Sequence, residues 1–148
     1  MAPTSHANGV RASYDAVAAD YARLLAGELE RKPLDRAVLA AFAVLGGVLA
    51  WYFTVHTPPS ELAPISGEFA RVPAPGGYVL IAFKAGDGQI RLERAYGHPV
   101  ELDVYWTPPD HIAALLAGAG LTETARLIRA PGDSEKSPQG FLPARKAS

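Results

Sequence analysis

There is no cysteine in this chain, which excludes disulfides, thiolate metal sites and cysteine nucleophiles. An excess of one charge is lacking too: 14 Lys and Arg against 15 Asp and Glu leave a formal net charge of -1, so there is no electrostatic footprint for nucleic acid. The opening stretch Met1-Ala2-Pro3-Thr4-Ser5-His6-Ala7-Asn8-Gly9 has no basic segment followed by an apolar one. No secretory signal is read, and a cytoplasmic location is expected. His6, His56, His98 and His111 are scattered without ligand spacing, so no metal site is expected. No serine sits in a nucleophile elbow. Gly76-Gly77 and Gly86-Asp87-Gly88 read as turns rather than phosphate cradles, because neither joins a strand to a helix N-terminus in the needed order.

What is present suits one ordinary globular domain: 148 residues, 49% hydrophobic and 20% charged, are enough to bury a core. Ten arginines against four lysines, with abundant Ala, Gly and Pro, fit a GC-rich bacterial genome. Val38 to Val55 is a run of 18 residues without a charge, at the lower end of a membrane span. The soluble reading is preferred, with no membrane partner. Leu34, Val38, Phe42 and Leu45 recur as one helix stripe, and Gly46-Gly47 supplies its stop.

The elements follow from periodicity and caps. Ser13 is read as the cap of a helix from Tyr14 to about Glu30, with Val17, Tyr21, Leu24 and Leu25 on one face. Pro33 opens a second helix. Val48–Val55, continuously apolar, reads as a strand buried on both faces, on which Trp51 and Tyr52 point to opposite sides. Ser60 is expected to cap a helix with a buried stripe of Leu62, Ile65, Phe69 and Val72. Tyr78–Lys84 is a strand, Gln89–Ala95 and Val100–Trp106 a hairpin around Gly97-His98-Pro99, and Thr107 the cap of a helix near Pro108–Ala117. Leu121–Arg129 and Phe141–Arg145 are the closing strands.

Several residues stand out chemically. His56 falls at the end of the Val48–Val55 strand, where open α/β sheets bind ligands, and an imidazole there can shuttle a proton. A loop-anchoring histidine before Pro58-Pro59 is the equal alternative. Tyr14 and Tyr21, seven apart, share a helix face, which core packing alone also explains. Glu101, Asp103 and Tyr105 alternate with apolar residues and share a strand face, able to present a carboxylate and a phenol to a small amine or alcohol. The solvated side of a half-buried strand is the plainer reading of that face, and His98 beside Pro99 also suits turn chemistry.

Ser13-Tyr14-Asp15-Ala16-Val17-Ala18-Ala19-Asp20-Tyr21-Ala22 and Arg31-Lys32-Pro33-Leu34-Asp35-Arg36 are similar to the cap helices of small-molecule methyltransferases. Gly46-Gly47-Val48-Leu49-Ala50-Trp51-Tyr52, His56-Thr57-Pro58-Pro59 and Arg71-Val72-Pro73-Ala74-Pro75-Gly76-Gly77 resemble the fourth strand, its sequel and the turn before the fifth strand of class I S-adenosylmethionine-dependent methyltransferases. The resemblance divides the chain into cap helices, 1–43, and the C-terminal half of a methyltransferase-like α/β domain, 44–148. It implies a truncated Rossmann-like fold with a mixed sheet. The first strand with its Gly-rich loop, and the ribose-holding acid about 20 residues on, are not found between the two parts, so no cofactor is expected on this chain.

The resemblance also assigns roles. Tyr14, Tyr21 and Tyr52 would approach the substrate, and the hairpin with His98, Glu101 and Tyr105 would wall the acceptor pocket. His56 and Asp103 are the candidate catalytic groups. The activity implied is that of a non-methylating enzyme or enzyme subunit acting on a small metabolite in bacterial secondary metabolism, for example by intramolecular substitution or cyclisation. Two alternatives stand beside it: a non-catalytic partner that stabilises another methyltransferase-like chain, and a methyltransferase completed by a second chain. The Val48–Val55 strand, left at a sheet edge without Lys, Glu or Pro, predicts a homodimer or a methyltransferase-like partner subunit.

Overall fold

The computed structural model describes residues 5–45 and 47–148, the side chains of residues 5–7, 24 and 25 excepted. Gly46 of the expected helix stop, and the Leu24 and Leu25 side chains, therefore lie outside the described residues. Helix α1 runs Ser5–Leu25, α2 Pro33–Leu45, β1 Gly47–Trp51, α3 Leu62–Arg71 and β2 Tyr78–Lys84. After them come β3 Gly88–Ala95, β4 His98–Trp106, α4 Pro109–Gly118, β5 Leu121–Glu123, β6 Leu127–Arg129 and β7 Gln139–Lys146.

The main sheet has the order β1-β2-β7-β5, with β6 beside β7 as well. Strands β1 and β2 are parallel, whereas β7 is antiparallel to β2, β5 and β6. The fold is thus mixed α/β, as expected. Strand β2 is central, and Val79 to Phe83 are all buried. Its alternate side chains serve two layers. Val79, Ile81 and Phe83 pack with Leu62 of α3 and with Ile112 and Leu116 of α4. Leu80 and Ala82 pack with Phe42 of α2 and Phe141 of β7. Gly140 lies across the ladder from Phe83, and a Cβ there would overlap the phenyl ring. Only glycine lets that ring lie flat on the neighbouring strand.

The hairpin β3–β4 is a separate two-stranded sheet, roofed by α1. Val17 of α1 buries against Val100 and Leu102, with Val10, Tyr14 and Tyr21 alongside. These α1 positions follow i, i+4, i+7 and i+11, which is why one face of the helix suffices.

Several expectations are corrected. Ser13 is no cap: α1 begins at Ser5, and the buried Ser13 hydroxyl accepts the Glu101 backbone N–H at 3.2 Å. The helix stops at Leu25 rather than near Glu30, because Gly27 turns left-handed at φ 72° before the short turn Glu28–Arg31. The strand read as Val48–Val55 ends at Trp51. Tyr52 adopts φ 55°, and Phe53–His56 is a 3₁₀ turn. Trp51 and Tyr52 therefore meet edge to face, 5.5 Å apart, in the α2-side cluster, not on opposite faces. Nor is the strand buried on both sides, since Leu49 is 45% exposed at the sheet edge.

Ser60 lies in a short turn, Pro59–Glu61, and caps nothing. Val72 lies beyond the end of α3 and is exposed, while Ser66 takes the buried place and donates to the Leu62 carbonyl. Thr107 does not cap α4 either; its backbone N–H donates to Lys84 O and joins the two sheets. The strand Leu121–Arg129 is broken at 124–126. Pro143 opposite the break has no N–H for the ladder, and Thr124 turns both its N–H and its hydroxyl onto the Pro143 carbonyl. No helix among the described residues is long and apolar enough to cross a membrane.

Candidate functional site

The early end of β1 leaves His56 on a turn that packs under the hairpin. Its Nδ1 lies 2.7 Å from the backbone carbonyl of Asp103, and its Nε2 lies 2.8 Å from the Tyr14 hydroxyl. A carbonyl only accepts, so Nδ1 carries the proton and Nε2 accepts from Tyr14. Helix α1, the β1 turn and β4 each supply one member of this chain of hydrogen bonds. Burial, reinforced by Tyr21 and Tyr96, pushes the Tyr14 phenol up to about 12. Tyr14 is therefore a neutral donor at physiological pH. The ring of Tyr14 also meets those of His56 and Tyr21 edge to face, at 5.4 and 5.9 Å. Tyr21 meets Tyr96 in the same manner at 5.5 Å, forming an aromatic wall between α1 and the hairpin turn. Tyr96 holds a positive φ of 53° to reach that wall.

A second polar assembly crowns the α2 side of the main sheet. Lys84, Gln139 and Arg129 are cross-strand neighbours on β2, β7 and β6, one row above the Ala82–Phe141–Leu127 row of the apolar layer. Arg129 Nε donates to the buried Asp35 at 2.9 Å, and its two terminal nitrogens reach Glu135 at 2.6 and 2.9 Å. Glu135 also takes Lys32, which pairs in turn with Glu28. The Arg129 guanidinium beside it holds the Glu135 carboxyl down at about 2. Burial raises the Tyr52 phenol, and Asp35 raises it further. The Glu28–Lys32 pair acts electrostatically on both Tyr21 and Lys84, so the aromatic wall and the charged row face a shared neighbourhood.

The sequence-derived candidates separate into three groups. His56, Tyr14 and Tyr21 come together with Tyr96. Tyr52 stands apart in the charged layer, its hydroxyl buried beside Asp35 and Arg129. Glu101, Asp103 and Tyr105 do share the outward face of β4, but Arg91 pairs with both carboxylates, at 3.2 Å from Glu101 and 3.3 Å from Asp103. It is the backbone of Asp103, not its carboxylate, that meets His56. His98 turns away to Asp20 Oδ2 at 2.7 Å and latches the hairpin turn to α1.

Asp35, Arg129, Glu135, Lys32 and Lys84 were not among the candidates. One signal was legible: Asp35 lies three residues before Val38 and seven before Phe42, an acid on an apolar stripe. Its partner Arg129 is 94 residues away, beyond any local pattern.

No protein-family model matches the chain, and no curated protein does. Solved structures are similar in fold. An S-adenosylmethionine-dependent methyltransferase from Methanosarcina mazei superposes with a TM-score of 0.57 at 15% identity, over 67% of this chain and 57% of that one. The fold is methyltransferase-like. The 1,6-didemethyltoxoflavin-N1-methyltransferase of Burkholderia thailandensis superposes with a TM-score of 0.51 at 20% identity, over 69% of this chain and 44% of that one. This methyltransferase-like chain thus spans about half the length of the structures it matches, and the likeness is one of architecture.

Proposed function

We propose that this chain is a methyltransferase-fold protein without an S-adenosylmethionine seat of its own, acting within a dimer or hetero-complex on a small metabolite by intramolecular substitution or cyclisation. The observation that carries the catalytic part is the chain Tyr14 Oη–H to His56 Nε2, with Nδ1–H fixed on the Asp103 carbonyl. An acceptor N–H or O–H set against Tyr14 passes its proton to Tyr14 Oη while the phenolic proton moves to His56 Nε2. The imidazolium keeps its hydrogen bond to Asp103 O. The freed lone pair attacks an electrophilic carbon of the same molecule, and the leaving group departs with the bonding pair. It then takes the proton back from His56 through Tyr14. Such relays contribute roughly 10²–10⁴ in rate, and holding both ends of one molecule together contributes several kcal/mol more.

What supports the missing seat is the backbone around the parallel strands. A nucleoside seat needs a glycine-rich turn from a strand's carboxyl end into a helix N-terminus. After β1 come Tyr52 and a 3₁₀ turn without glycine, and Gly86-Asp87-Gly88 after β2 leads into strand β3. No strand precedes β1 among the described residues. These residues do not fit the cofactor, and no step is routed through it.

What supports a partner is the free edge of β1. Among the described residues it pairs only with β2, and Val44, Leu45, Leu49 and Phe53 stand exposed on and around it. Natural proteins cover such edges. A second methyltransferase-like chain that completes the sheet is the alternative this edge also favours.

Two measurements test the reading. Isothermal titration of the purified chain with S-adenosylmethionine should give no saturable heat, and micromolar binding overturns it. Sedimentation equilibrium at micromolar concentration should show an assembly larger than the 15.6 kDa chain, and a folded monomer removes the partner from the proposal.

A further inference from the structure

The edges of the two sheets are not alike. The edge strand β3 carries Arg91, Glu93 and Arg94 and its ladder slips between Leu92 and Arg94, and β5 and β6 are only three residues long. Charge, a bulge and shortness are the usual means of keeping an edge from pairing. Strand β1 has none of them: its five residues, Gly47–Trp51, hold no charge and no proline, and no charged residue occurs from Ala37 to Val55. The uncharged run of the sequence therefore lies along an edge that is open among the described residues. The Tyr52 N–H donates to Ala82 O at 2.9 Å, so by alternation along the strand the N–H and C=O groups of Gly47, Leu49 and Trp51 point away from β2. Leu49 and Trp51 stand beside Leu80 and Ala82 on the α2 side, whereas Ala50 takes the side of α3 and α4.

We propose that β1 pairs antiparallel with β1 of a second copy of this chain, about a two-fold axis that passes through Leu49 perpendicular to the sheet. The proposal rests on the reading that the chain works with a partner, and narrows that partner to the chain itself. An axis at Leu49 uses all three outward-pointing residues. Leu49 exchanges both its bonds with Leu49 of the second copy, and Gly47 and Trp51 exchange theirs with Trp51 and Gly47, about six ladder hydrogen bonds in all. Directly opposite side chains share a face, so this register lays the Trp51 ring over a residue without a side chain, Gly47, and sets Val48 against Ala50. Large meets small at every step. Such self-complementarity is what an isologous interface asks of one patch. A two-fold axis also brings each charge beside it close to its own kind, and this edge has no charge to repel. The contact extends past the ladder, because Val44 is 87% and Phe53 63% exposed beside it, with Leu45 and Leu49 half exposed. Covering them supplies the hydrophobic part of the association.

Because the chain has no cysteine, one introduced thiol reports the register. In Leu49→Cys the two thiols face each other across the axis, where opposed Cα atoms stand about 5.5 Å apart, within disulfide reach. Mild oxidation of the full chain should give a covalent dimer on a non-reducing gel, whereas Thr122→Cys, exposed on the strand β5, should not. Sedimentation equilibrium of the parent chain should give a dimer, and Leu49→Lys should raise its dissociation constant at least about tenfold, since like charges then meet directly across the strands. Circular dichroism checks the fold of that variant, and Leu49→Cys decides the matter if it does not fold. A monomeric parent chain overturns this proposal together with the partner reading. A parent dimer that fails to cross-link through Leu49→Cys, cross-links through Thr122→Cys instead, or holds as tightly in a folded Leu49→Lys overturns this interface alone and leaves the partner reading standing.

Discussion

The two faces of the central sheet are built from the same strands to opposite ends. Toward α3 and α4, Val79, Ile81, Phe83, Leu116 and Leu142 join one apolar cluster. Toward α2, the apolar layer is thinner, and Asp35, Arg129, Glu135, Lys84 and Tyr52 are gathered above it. A dry face can only hold the fold together. A face that keeps ions half out of water pays desolvation for every one of them, and it does so where both parallel strands end. The difference separates an apolar face from a charged one within a single sheet.

The sharpest way to break that contrast is to cut each face once. Phe83→Ala empties the dry face and should cost about 3–5 kcal/mol in urea denaturation, as for other buried phenylalanines. Asp35→Ala should cost a similar amount for a different reason, leaving the Arg129 guanidinium buried beside one carboxylate instead of two. The two must part in salt: raising ionic strength should change the deficit of Asp35→Ala and leave that of Phe83→Ala nearly unchanged. If both behave alike, the two faces are not held by different forces.

A smaller effect lies in pH. The Glu135 carboxyl is depressed from its ordinary 4.5 to about 2. Its contribution to stability is therefore complete above about pH 4.5 and lost as pH falls toward 2, since only the unfolded chain still binds the proton in between. Glu135→Gln should flatten the stability profile across that window, and Phe83→Ala should leave its slope unchanged. Thermal melts at half-unit intervals decide it. The smallest effect belongs to the hairpin, where Glu101→Ala removes an exposed partner of Arg91 and should shift stability by under about 0.5 kcal/mol. A larger loss would move that face of β4 out of the solvated class.

Local chemistry made much of the fold legible. Pro33 opened its helix, the β3–β4 hairpin turned at Gly97, and Tyr78–Lys84 was a strand with the bounds expected, whereas the both-faces burial expected of Val48–Val55 belongs to this strand instead. Alternation on β4 put Glu101, Asp103 and Tyr105 on one face. Tyr14 and His56 were each visible as candidates, but their meeting was not, because the bond spans 42 residues and depends on where α1 settles on the hairpin. Local rules failed where a long-range contact outweighed them. A backbone N–H of β4 claimed Ser13 before it could act as a cap, and Tyr52 took a left-handed turn that ended the strand four residues early.

By itself the sequence determined the periodicities, and hence which elements form and which of their faces are apolar, because those follow from spacing along the chain. It also determined the absence of thiol chemistry and of any large net charge. Only the tertiary structure decided which polar groups satisfy one another. Arg129 finds Asp35 across 94 residues, because hydrogen bonds are made in three dimensions by whatever the packing of apolar faces brings within reach.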